Sequence, residues 1–82
     1  MMTKEAMIAS LKELLIEEFE LEHDLDDPSQ NLIKALDIDS LDTIDLVVLV
    51  EKNFGYKLTK EDLIAAKTME DFYNVLYTQL SA

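Results

Sequence analysis

Apolar residues recur at helical spacing from the first residues of the chain. Met7, Ile8, Leu11, Leu14, Leu15 and Phe19 fall on one face, and Lys4, Lys12, Glu13, Glu17 and Glu20 on the other. Thr3 is placed to cap this helix and Glu5 lies near its positive end, so the spacing predicts a helix from Thr3 to about residue 20. The period then breaks over 22–31. Pro28 does not fit a helix interior, and it pushes Asp27 towards extended geometry. A long loop is expected there, reaching to about residue 38, with a short turn near Leu32–Leu36. Leu25, Leu32, Ile33 and Leu36 would tack it to the core.

A second helix is predicted from about Ser40 to Asn53. Asp39 or Ser40 would cap it, Asp42 would add charge to its first turn, and Phe54-Gly55 would end it. At about 100° per residue this helix carries two apolar stripes. Leu46, Val47, Val50 and Phe54 form one, expected to face the core. Leu41, Ile44 and Val48 form another on roughly the opposite side, between Asp45 and Glu51. A chain this small can hardly bury one helix all round, so the second stripe is expected at the surface. An apolar strip with an acidic rim is the layout of a docking surface. The alternative is that another helix of the same chain covers it.

Thr59 opens a short third helix, with Glu61 and Asp62 in its first turn and Leu63, Ile64, Ala65 and Ala66 on its apolar side. Thr68 then caps the last helix, with Asp71 three residues on in a near-capping-box arrangement. Phe72, Val75, Leu76 and Leu80 make its core stripe, with Tyr73 and Tyr77 beside them. The expected fold is all-α: a four-helix bundle of three longer helices and a short third one, with a long first loop. The 82 residues leave room for one domain spanning 1–82.

Charge narrows the function. Eighteen acids face seven lysines, for a formal net charge of −11. Such a surface repels nucleic acid and anionic lipid, and it attracts proteins with basic patches. Almost half of the residues are apolar, so the acidity does not imply disorder. No apolar run approaches the length of a membrane span, and the N-terminal residues lack the pattern of a signal peptide. A cytoplasmic, monomeric protein without membrane insertion is the expectation.

Candidate chemistry centres on Ser40, between aspartates at the predicted helix start. As a hydrolytic nucleophile it would need a base, but the single histidine, His23, sits in the acidic loop and is expected to be solvated. No Gly-x-Ser-x-Gly elbow is present. Asp37 and Asp39 match the first ligands of a calcium loop, yet Leu41 falls at its fifth position and Val48 at its last. Cysteine is absent, so zinc is not expected either. There remain a plain capping serine in an acidic helical adaptor and a serine modified by another enzyme. An anion attached in a first helical turn gains roughly 0.3–1 kcal/mol from the helix dipole.

At Asp39-Ser40-Leu41-Asp42-Thr43-Ile44-Asp45-Leu46 the chain resembles the acyl carrier proteins, whose motif is Asp-Ser-Leu. The resemblance extends through Val47–Asp62 and more loosely through Thr68–Leu80. It implies that Ser40 receives 4′-phosphopantetheine from coenzyme A through a phosphopantetheinyl transferase. The arm's thiol would then carry acyl groups as thioesters for fatty-acid or related polyketide-type synthesis, while the carrier itself catalyses nothing. It also implies a docking surface of Asp39, Leu41, Asp42, Ile44, Asp45, Val48 and Glu51, extended by Glu61 and Asp62. Acyl-loading and ketosynthase-type enzymes with basic patches would read that surface. Leu46, Val47, Leu63 and Phe72 would line the acyl cavity, and no metal is implied. A D-alanyl or peptidyl carrier is the alternative within the family. Two departures stand out: Asp37 where the family usually has glycine, and Lys52-Asn53 after Glu51, where fatty-acid carriers are often acidic.

Overall fold

Thr3 accepts the amide of Ala6 on its hydroxyl and so starts the first helix, α1 (Lys4–Glu18). The computed structural model describes residues 3–39 and 42–81. Over these residues the order is α1, α2 (Leu32–Leu36), α3 (Thr43–Phe54), α4 (Lys60–Ala65) and α5 (Met69–Ser81), all helical. The fold is an acyl-carrier-like helical bundle, with one helix more than the predicted four. The extra element is α2, where only a turn was expected. Asn31 caps it by accepting the Lys34 amide, and five residues are too few for a periodicity to show.

α5 is the post of the bundle, packed against α1, α2 and α4. Met7, Leu11 and Leu15 of α1 meet Met69, Phe72, Tyr73 and Leu76 of α5 in one core, completed by Leu25, Leu32, Leu36 and Leu58. Phe72 is fully buried. Its truncation to alanine would cost about 3–5 kcal/mol, comparable with the whole stability of a chain this small. α3 contributes Leu46, Leu49 and Val50 to that core. Leu49 was missing from the predicted stripe, whereas Val47 and Phe54 are only half-buried against the core.

The long loop is stitched down at its far end. Leu32 donates to the Lys67 carbonyl, Met69 to that of Gln30, and Glu70 to that of Pro28. These bonds flank an isolated antiparallel bridge between Asn31 and Thr68. Thr68 and Asp71 form the expected reciprocal cap on α5.

Three residues close helices in the left-handed region, and only one is glycine. Gly55 (φ 75°) ends α3, as predicted. Glu20 (φ 51°) and Asp37 (φ 54°) do the same after α1 and α2. In both cases the next residue donates back five positions, Leu21 to Ile16 and Ile38 to Ile33, as in a Schellman motif. Asp37 thus makes a left-handed turn of the kind glycine favours, with a Cβ in a conformation that disfavours one.

No described helix is long and apolar enough to cross a membrane.

Candidate functional site

Ser40 and Leu41 lie outside the described residues, so the site is built from the chain on either side. Asp42 donates its amide to Asp39 twice, to Oδ1 at 3.1 Å and to the backbone carbonyl at 3.1 Å. The Asp39 amide points to Asp42 Oδ2 at 3.4 Å. The two carboxylates thus bracket Ser40-Leu41 reciprocally. α3 begins at Thr43, later than the predicted Ser40. Asp42 therefore precedes the helix, makes no side-chain cap to it, and leaves Asp45 as the acid of the first turn. Of the two predicted caps, Asp39 accepts the Asp42 amide, and Ser40 lies outside the described residues.

α3 turns an apolar strip outward. Ile44 is 66% exposed and Val48 55%, with exposed Asp45 and Glu51 beside them. Among the described residues no helix covers the strip, so the acidic-rimmed apolar face expected from the wheel is present there.

α4 stands next to it. Thr59 and Asp62 form a full capping box, and Asp62 also accepts the Tyr56 hydroxyl. That phenol is the first cause of a lowered Asp62 carboxyl pKa, opposed by burial and helped by Thr59. In return Asp62 raises the Tyr56 pKa, chiefly by holding its proton. Asp62 is therefore half-buried and occupied within the chain, while Glu61 faces solvent.

Between α2 and α4 runs a cleft of about 390 Å³, lined by Leu32, Ile33, Thr43, Lys60, Leu63, Ile64 and Ala66. Of the predicted cavity residues Leu63 lines it. Leu46 and Phe72 are sealed in the core and Val47 is half-buried. Ile33, expected on the core, and Ile64, expected on the apolar side of the short helix, are instead 38% and 63% exposed and form walls of this cleft. Thr43, three positions after Ser40 in sequence, is the α3 residue that lines the cleft. The lining is aliphatic apart from Thr43 and Lys60.

His23 is exposed, as expected, but tied: its Nε2 donates to the Ala35 carbonyl at 2.8 Å, joining the loop to α2. Among the described residues no three histidine, aspartate or glutamate side chains are grouped to hold a metal ion.

An exposed, acid-rimmed apolar helix face beside a cleft is a surface suited to docking another protein. Residues 9–76 match the family described as phosphopantetheine attachment site. The acyl carrier protein of Coprothermobacter proteolyticus is 30% identical over 79 residues, 96% of both chains. That of Petrotoga mobilis is 30% identical over 80 residues, covering 98% of this chain and 94% of its own. The meromycolate extension acyl carrier protein of Mycolicibacterium smegmatis is 35% identical over 69 residues, 84% of this chain and 70% of its own. No solved structure matches significantly. The chain belongs to the phosphopantetheine-attachment family, among the acyl carrier proteins. It is a phosphopantetheine-bearing acyl carrier of fatty-acid or related biosynthesis.

Proposed function

We propose that Ser40 is the residue that carries the 4′-phosphopantetheine arm, and that residues 1–82 form a single carrier domain which holds acyl groups on that arm and catalyses nothing itself. When bound, the arm supplies a thiol that holds the acyl group as a thioester. The observation that carries this reading is the exposed Ile44–Val48 strip, with Asp42 and Asp45 along it, leading away from the Asp39–Asp42 bracket. A transferase or synthase with an apolar spot ringed by lysine and arginine matches that face. The docking surface is then Asp39, Leu41, Asp42, Ile44, Asp45, Val48, Glu51 and Glu61. Asp62 serves α4 first and partners second, because Tyr56 and Thr59 already hold its carboxylate. The partners are a phosphopantetheinyl transferase, acyl-loading enzymes and ketosynthase-type enzymes. The carrier works as a cytoplasmic monomer, its charge of −11 opposing self-association.

Intact mass after incubation with coenzyme A and a broad-specificity transferase tests the reading. One phosphopantetheine addition is expected, and none in Ser40→Ala. An unmodified wild type, or a modified Ser40→Ala, refutes the assignment.

A further inference from the structure

The cleft between α2 and α4 holds one charged side chain. Its lining is aliphatic apart from Thr43 and Lys60. Lys60 is the first residue of α4, and its neighbours one turn on, Leu63 and Ile64, line the same cleft. Lys60 is exposed, and a lysine at such an edge can lay its methylenes on the apolar wall and keep its ammonium in water. The acids nearest in sequence point elsewhere. Glu61 is about 100° further round the helix, and Asp62 is turned to Tyr56 and Thr59. Among the described residues Lys60 has no ion pair; the single one is Lys12–Asp26, 3.3 Å apart on another face. In a chain of charge −11, an unpaired cation on an apolar cleft is a selective feature, since an anion brought near most other parts of the surface is repelled.

We propose that Lys60 sets cargo preference: the cleft receives an acyl chain whose far end carries a carboxylate, with the chain against Leu32, Ile33, Leu63 and Ile64 and the carboxylate at the Lys60 ammonium. The inference rests on the attachment of the arm at Ser40. A chain ending in a methyl group fills the same walls but leaves the ammonium unanswered, so it is held less well. The pair lies at a rim in contact with water, which makes it a modest, salt-sensitive interaction that selects among cargoes rather than fixing one.

Two cargoes of equal length separate end-group chemistry from chain length. The protein is loaded from octanoyl- or suberoyl-coenzyme A, or with the unacylated arm, by a broad-specificity transferase, and loading is verified by intact mass. Thermal midpoints are then read at low and high salt. In the wild type the suberoyl form should melt about 2–5 °C above the octanoyl form at low salt. The gap should close at high salt and in Lys60→Met, and persist in Lys60→Arg. The Lys60 side-chain NMR signals should move on suberoyl loading and stay in place with the unacylated arm. A gap unchanged in Lys60→Met overturns the proposal, as does an equal shift with the unacylated arm, which would assign the ammonium to the phosphodiester. Absence of any mass addition refutes attachment at Ser40 itself, a separate outcome.

Discussion

Asp39 and Asp42 hold each other's backbone amides across the two residues of the attachment motif, at 3.4 Å and 3.1 Å. On the proposed reading these carboxylates have two duties, one towards the local backbone and one towards partners. Substitution can separate them. Asp39→Ala removes the shorter bond and should lower stability by about 1 kcal/mol. Asp39→Asn keeps an acceptor for the Asp42 amide but loses the charge. Urea midpoints should fall for the alanine variant alone, while the rate of phosphopantetheine transfer should fall for both.

Charge reversal on the strip addresses steering. Asp45 is exposed beside Ile44 and Val48. Asp42→Lys with Asp45→Lys should slow modification at least several-fold at low salt, mainly through kcat/KM, and the deficit should shrink as salt is raised. Equal rates at low salt would remove this face from the docking surface.

Asp37 occupies a left-handed position with φ 54° and ψ 45°. Glycine relieves the Cβ strain there, so Asp37→Gly should raise stability by about 0.5–1 kcal/mol although glycine also gains entropy when unfolded. The Glu20→Gly change should act in the same direction. Chemical denaturation of both single variants and of the pair measures this, and the gains should add, since the sites close different helices.

Tyr73 is sealed in the core, and its hydroxyl has no hydrogen-bond partner among the described residues. Burial first, and Asp26 second, push its pKa up to about 12. The unfolded phenol ionises near 10. Below that both states keep the proton and stability is unaffected. Between about 10 and 12 the unfolded chain releases it and the folded chain does not, so stability falls as pH rises, by roughly 2 kcal/mol. Tyr73→Phe should be neutral to about 1 kcal/mol more stable at pH 7, and it should flatten this alkaline decline. Melting curves from pH 8 to about 11.5 compare the two.

The sequence exposed most of the bundle because its long helices are amphipathic and bounded by side chains that cap in predictable ways. Thr3, Thr59 and Thr68 all cap as read, and Gly55 ends α3. The outward strip was legible for the same reason, through the two phases of one helical wheel. The start of α3 was misplaced because Asp39, Ser40 and Asp42 are all good capping residues, and only the backbone shows which amide each carboxylate takes. The cleft was harder still. Leu32 and Ile33 come from a five-residue helix and Leu63 and Ile64 from a six-residue one, and elements distant in sequence give no sign that their apolar residues face one another. One signal was available: Lys60, Leu63 and Ile64 follow the i, i+3, i+4 rule.

The bridge between Asn31 and Thr68 joins residues 37 positions apart, and the bonds around it run from Pro28–Leu32 to Lys67–Glu70. The N-terminal end of α2 is therefore tied down only once residues 67–70 are present. A ribosome-bound fragment ending before Thr68 would contain Ser40 and the whole of α3, yet lack the strip that anchors the far end of the loop. Closing the loop on α5 therefore carries the entropy cost of a long-range contact, in a bundle whose helices otherwise form from local ones.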